Sequence, residues 1–284
     1  MTIIEAIVLG IVQGLTEFLP VSSSAHLIIV PWLLGWESPG LAFDAALHLG
    51  TLGAVLIYFW RDILAMLMSL PRALRHPGNV LRSRDPRDTM PRLSLLIAVG
   101  TIPGLIAGYF GQGVIDAAYH QPGGPPDRII VAIAMALAGL ALFMRVAERL
   151  ARHTRALSDM RLPDGLAIGL SQAAALIPGV SRSGATITTG LFRDLTREDA
   201  ARFSFLLGVP IIALAGAKGV YDTLGAGLPQ DQLLIFVVGI LTSGLAGLFA
   251  ISALLRYVQR ASFGVFIAYR LILAVVLVLL TLVK

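Results

Sequence analysis

The sequence predicts an all-α polytopic membrane protein, with six transmembrane helices plus two re-entrant helical hairpins arranged as inverted-topology repeats. Three observations predict it. The 284 residues are 56% hydrophobic and only 14% charged, with mean hydropathy +0.82, whereas a soluble domain carries about a quarter charged residues. Six apolar stretches are long enough to cross a bilayer, which takes about 20 residues in a helix. Two further apolar regions are each interrupted by a Pro/Ser/Gly turn, and they share residues at a constant offset.

The six spans are 41–60, 93–111, 129–147, 201–221, 233–255 and 262–283. The fourth is the least regular, with Arg202 at its start and Lys218 near its end. The first broken region runs 3–19, a turn at 20–24, then 25–34; the second runs 162–177, a turn at 178–184, then 185–192. Neither half of either region crosses a bilayer comfortably. A re-entrant hairpin suits them, because non-helical backbone at membrane depth needs protein or a wet cavity around it.

Gly10, Gln13, Val21, Ser22 and Ser24 recur as Gly169, Gln172, Val180, Ser181 and Ser183, each pair 159 residues apart. Five identities in fifteen positions exceed the roughly one expected by chance, so residues 1–150 and 162–284 read as two repeats of a single membrane domain.

The absence of cysteine excludes disulfides and thiolate metal sites. The net charge is +5, and 20 of the 22 basic residues are arginine. These arginines sit in short loops between apolar runs, a pattern of orientation signal and headgroup contact rather than of nucleic-acid binding. Without a basic leader, and with Glu5 and Glu17 in the first apolar stretch, the N-terminus does not read as a cleavable signal. Segments 71–92, 145–161, 193–197 and 256–260 are arginine-rich and are expected in the cytoplasm. Segments 112–127 and 222–232 lack Lys and Arg and are expected outside. This alternation brings the first hairpin in from outside and the second from the cytoplasm. Inverted repeats with broken helices at the midplane suit the binding of small charged groups.

In the first hairpin, Gln13 and Glu17 share a helix face. A carboxylate at membrane depth marks a functional site and needs a partner. After Pro20 come Ser22, Ser23, Ser24 and His26, offering hydroxyls, an imidazole and the N–H groups of a helix start, which suits phosphate. A polar seam between helices would use serines similarly, but it does not explain Glu17 and His26 beside them. In the second hairpin Arg182 lies between Ser181 and Ser183, followed by Gly184 and Thr186. Its planar fork of donors matches phosphate oxygens. Under the offset, Ser23 aligns with Arg182 and Glu17 with Leu176, so one hairpin brings acid, hydroxyl and imidazole and the other brings the cation. Phosphoryl transfer needs such an asymmetric pair. Ser23, His26 or a water activated by Glu17 are all competent nucleophiles; the working assignment gives Ser23 the attack, Glu17 the base or metal-ligand role and His26 the acid–base role. Asp44 and His48 share a helix face and line either the cavity or an interhelical contact. Arg202 is a cavity residue or a headgroup anchor. Trp32, Trp36 and Trp60 read as interface anchors, and His76, His120 and His153 as solvated loop residues.

The chain resembles the undecaprenyl-diphosphate phosphatase, or bacitracin-resistance, family. The resemblance rests on Gln13-x-x-x-Glu17, on the run from Phe18 to His26, and on the run from Pro178 to Thr186. It extends through the runs from Phe43 to Gly50, Tyr58 to Arg61 and Arg202 to Leu207. It implies hydrolysis of a polyprenyl diphosphate lipid, recycling the carrier for cell-wall synthesis, in a bacterial inner membrane with the site open to the outer face. It also implies homodimers and a divalent cation, Mg or Ca, with Glu17 as a ligand. The family's first motif takes Glu or Gln at its first position; Gln13 leaves one carboxylate there. A lipid flippase or transporter is the alternative that inverted repeats suggest.

Overall fold

The computed structural model describes residues 1–38, 40–119, 125–226 and 232–283. Among these the protein is helical, apart from one isolated parallel bridge between Arg155 and Leu195. The helices are α1 (Ile3–Phe18), α2 (Ser23–Leu34), α3 (Leu41–Tyr58), α4 (Trp60–Arg75), α5 (Pro77–Arg82), α6 (Thr89–Tyr119), α7 (Asp127–Leu150), α8 (Leu162–Ala173), α9 (Arg182–Phe192), α10 (Arg197–Ala226), α11 (Leu233–Val258) and α12 (Gly264–Val283). Six stretches are long and apolar enough to span a membrane: Leu41–Tyr58, Pro86–Gly111, Asp127–Leu150, Arg197–Tyr221, Leu233–Val258 and Gly264–Val283. They correspond to the six expected from sequence, including the fourth despite Arg202 and Lys218. The protein is a multi-pass membrane protein. Gly123, His120 and Gln230, in loops expected outside, lie beyond the described residues.

Lipid supplies little hydrophobic drive between helices, so small residues that permit close backbone approach hold such bundles together. Gly14 of α1 meets the backbone of Ser243 in α11, and Gly169 of α8 meets the backbone of Gly100 in α6; a Cβ at either would collide with the opposing chain. Thus α1, from the first half of the chain, packs on α11 of the second, and α8 of the second half packs on α6 of the first. α7 packs on α12 and α3 on α10.

Two helices, α4 and α5, were not legible in the sequence. α4 carries exposed Leu64, Leu67, Met68 and Leu74 on one side and buries Ala73 on another, with Arg61 stacked over the Trp60 ring at 5.3 Å. Its polar residues interrupt the apolar run, so it falls short of a span yet remains amphipathic. His153, expected to be solvated, instead lies 3.4 Å from Glu148 and is 18% exposed. Its loop is pulled in because Glu148 also accepts from Arg197 and from the Phe263 N–H.

The arginine-rich segments assigned to one side of the membrane meet in space. Arg92 donates to the Ser158 carbonyl, Arg155 and Arg193 to Asp164, and Arg202 to Asp62. The Arg193–Asp164 bond, at 2.7 Å, joins the end of α9 to the start of α8. Burial opposes ionisation of Asp164, but the hydrogen bonds from Arg155 and Arg193 outweigh it and hold the carboxyl below its usual range.

Candidate active site

The second helix of each broken region starts earlier than the sequence suggested, and α8 ends earlier too, at Ala173, with a 3-10 turn at Ala174–Leu176. α2 begins at Ser23 and α9 at Arg182, so Ser23, Ser24, Arg182, Ser183 and Gly184 belong to first helical turns rather than to the turns preceding them. Side-chain capping sets these starts. Ser22 Oγ accepts from the Ala25 N–H at 3.4 Å and Ser181 Oγ from the Gly184 N–H at 3.0 Å, satisfying donors that a helix start leaves unpaired. Ser22 and Ser181 both have positive φ, 79° and 29°, conformations that cost about 1–3 kcal/mol and persist only where their surroundings enforce them. The capping residues and the helix starts obey the same 159-residue offset.

At the end of α1, buried Phe18 packs edge-on against Phe205 of α10, with centroids 5.3 Å apart, a contact worth about 0.5–1.5 kcal/mol beyond its buried area. This brings Glu17 beside α10 and the second hairpin. The carboxylate is 6% exposed. Its Oε1 accepts from Arg182 Nη2 at 3.0 Å, and its Oε2 accepts from Ser23 Oγ at 2.7 Å and Gln13 Nε2 at 3.2 Å. His48 Nε2 lies 3.7 Å from Oε2, while its Nδ1 bonds the Asp44 carbonyl at 2.7 Å. So His48 lines the site, and its bond to Asp44 runs through the backbone. Arg182 Nη1 donates to the Ser204 carbonyl at 3.0 Å, and Gly208 provides the space through which the guanidinium passes α10, since a Cβ there would strike it. Among the described residues the buried Nε–H of Arg182 and the buried Oε1 of Gln13 have no hydrogen-bond partner.

Gln13, Glu17, Ser23 and Arg182 therefore converge. His26 lies apart from them. Its Nδ1 bonds the Ser22 carbonyl at 2.7 Å, and its Nε2 bonds the Tyr269 hydroxyl at 2.6 Å. The carbonyl can only accept, so Nδ1 carries the proton and Nε2 accepts from tyrosine. The remaining hydroxyls hold the turns: Ser24 bonds Ser22, Ser181 bonds Ser183, Ser183 donates to the Leu19 carbonyl, and Thr186 pairs with Ser204. The Gly184 N–H is committed to its cap.

Arg202 pairs with Asp62 at 3.3 Å beside Glu198 and Arg256. It lines a small cavity with Tyr58, Asp62, Glu198 and Arg256, and Glu17 is not among the residues of that cavity. Sequence reasoning missed Tyr269, Arg270, Ser204 and Gly208. A lone arginine within the apolar run of α12 is the signal that could have found Arg270, since charge in such a run is expensive.

The family described as Bacitracin resistance protein BacA matches residues 6–276. The chain belongs to that family. It is 48% identical to a protein of Thermomicrobium roseum over 98% of both chains. It is 45% identical to one of Moorella thermoacetica over 98% of this chain and 97% of the relative, and 44% identical to one of Desulforudis audaxviator over 99% and 98%. All three are named undecaprenyl-diphosphatase. The matched stretch contains the hairpins, the Glu17–Arg182 pair and Tyr269–Arg270 on α12.

Proposed function

We propose that this protein hydrolyses undecaprenyl diphosphate to undecaprenyl phosphate and inorganic phosphate, recycling the lipid carrier for cell-wall synthesis. The observation that carries the reading is the 2.7 Å hydrogen bond from Ser23 Oγ to the buried Glu17 carboxylate, with Arg182 on the carboxylate's other oxygen. A hydroxyl is a competent nucleophile when a base lies within hydrogen-bond reach.

Ser23 Oγ attacks the terminal phosphorus and its proton passes to Glu17. The bond from that phosphorus to the bridging oxygen breaks, and undecaprenyl phosphate leaves with the electron pair. Water then attacks the phosphoserine, giving phosphate and restoring the serine. Arg182 keeps its Nε–H and one N–H on each terminal nitrogen beyond its bonds to Glu17 and Ser204, and these suit phosphate oxygens. Ser23, Ser24, Arg182 and Ser183 occupy helix first turns, where N–H groups lack intrahelical partners and favour anions. The acid–base role expected of His26 would require its Nε2 to exchange the Tyr269 hydroxyl for the leaving phosphate.

A divalent cation, Mg or Ca, suits the oxygen side of this pocket. Glu17 and the Oε1 of Gln13, which has no hydrogen-bond partner among the described residues, would hold it, and a Glu17 that did so would not be the base that takes the Ser23 proton. Among the described residues no three His, Asp or Glu cluster for a metal, so water and substrate oxygens would complete its shell. A cation held there would supply charge neutralisation to the phosphate oxygens.

Two re-entrant hairpins related by an inverted repeat are part of this reading. The crossed packing of α1 on α11 and α8 on α6 supports it, as does the closure of the second hairpin at the basic end by Arg193 and Asp164. The site then opens to the outer face of a bacterial inner membrane, and the protein works as a homodimer.

The test is phosphate release from undecaprenyl diphosphate by purified protein in detergent, where vectorial transport is abolished. Release no faster than the detergent blank would overturn the phosphatase reading and leave the flippase standing.

A further inference from the structure

Arg270 of α12 is fully buried, with no measurable exposure. Its hydrogen-bond partners are backbone carbonyls: Nε donates to Leu137 at 3.1 Å, Nη1 to Pro20 at 3.1 Å, and Nη2 to Gly179 at 2.7 Å and Ala136 at 3.5 Å. A buried charge normally finds a counter-charge. Arg270 instead spends its donors on α7 and on both hairpin turns.

The two turn carbonyls are equivalent. Pro20 and Gly179 stand 159 residues apart, the offset that relates Ser22 to Ser181 and Ser23 to Arg182. Each carbonyl precedes by two residues a serine held at positive φ. The turns also touch directly, through the Gly179 N–H to Ser22 Oγ at 3.2 Å and Ser183 Oγ to the Leu19 carbonyl at 3.1 Å. One planar guanidinium thus grips the same atom of both repeats, on the residues leading into Ser23 and Arg182.

We propose that Arg270 is a positioning residue of the diphosphate site, clamping the Pro20 and Gly179 carbonyls so that Ser23–Glu17 and Arg182 stand in register across the two turns. The inference rests on the phosphatase reading above. The hydrogen bonds of Arg270 go to none of Gln13, Glu17, Ser23 or Arg182; it sets the distance between the elements that carry them. The fork geometry matters because an ammonium is a single point of attachment and cannot span carbonyls on two separate turns. Catalytic geometry is steep in distance: a misplacement of about 1 Å costs on the order of 100-fold.

The experiment measures phosphate release, KM for undecaprenyl diphosphate and thermal unfolding for wild type, Arg270→Gln and Arg270→Lys in detergent. The expected result for both variants is a kcat lower by roughly 100-fold, a KM within about threefold of wild type, and a folded, monodisperse protein. A general structural defect would lower the active fraction and the melting temperature together. If Arg270→Gln does not fold, Arg270→Lys carries the test. Wild-type kcat in either folded variant overturns the proposal; in the lysine variant it would mean that charge alone matters. Loss of fold in both also overturns it, making Arg270 a folding residue. A wild-type protein that releases no phosphate fails differently, by removing the reading on which the proposal rests.

Discussion

Glu17 and Arg182, 165 residues apart in the chain, meet at 3.0 Å, and each is held by a further bond, Glu17 from Ser23 and Arg182 to the Ser204 carbonyl. This pair joins one hairpin to the other and balances the carboxylate's charge where water is scarce. The serine hydroxyl and the guanidinium hold separate oxygens of the same carboxylate.

Replacing Ser23 by Ala should reduce phosphate release by more than about 1,000-fold, as expected when a nucleophile is removed, without loss of lipid binding. Rapid acid quench of the wild type should leave phosphate on the protein. Substantial turnover in the alanine variant, with no trapped phosphoprotein in wild type, would transfer the attack to water.

Arg182→Lys should lower turnover by roughly 100–1,000-fold, the range seen when a transition-state donor is lost. Lysine keeps the charge but loses the fork that serves Glu17, Ser204 and phosphate together. Near wild-type kcat in this variant would reduce Arg182 to a general electrostatic contributor.

Gly208→Ala isolates the placement of Arg182. A helical glycine replaced by alanine ordinarily stabilises by about 0.4–1 kcal/mol, but here the new methyl would strike the guanidinium. The expected outcome is impaired phosphate release with an unchanged or raised melting temperature. Full activity would show that Arg182 has room to move.

Asp164→Asn should destabilise the protein by about 1–3 kcal/mol, because two arginines lose their shared carboxylate. The lowered pKa of Asp164 fixes the sign of the pH effect. Its contribution is complete above the unfolded value of about 3.9 and is lost as pH falls through the lower folded value. Melting temperature measured between neutral and strongly acid pH should fall more steeply below about pH 4 in wild type than in the asparagine variant.

Orientation is accessible by labelling, since the chain has no cysteine. Cysteines replacing Arg84 and Arg149, both exposed at the basic end, should react only from the cytoplasm. Cysteines replacing Gly123 and Gln230 should react from outside. Labelling of all four from one side would overturn the inverted arrangement.

The class of the protein is written in its composition. Its low charge and its six apolar runs fix the spans, because a bilayer imposes length and composition on any helix that crosses it. The sequence also exposed two apolar segments broken by similar turns at a constant offset and singled out Gln13, Glu17, Ser23 and Arg182, since ionisable and hydroxyl groups stand out against an apolar background. Tertiary structure alone decided which of those groups meet. It turned His26 toward Tyr269, engaged Ser181 and Ser183 in bonds at the turns and Thr186 in a bond to Ser204 of α10, and brought His48 beside Glu17. It also revealed Arg270 gripping two carbonyls far apart in the chain. Backbone carbonyls are present at every residue, so no local pattern announces which of them a distant arginine will hold. That choice follows from helix crossings at Gly14 and Gly169 and from capping at Ser22 and Ser181, where long-range packing and hydrogen-bond satisfaction fix the geometry together.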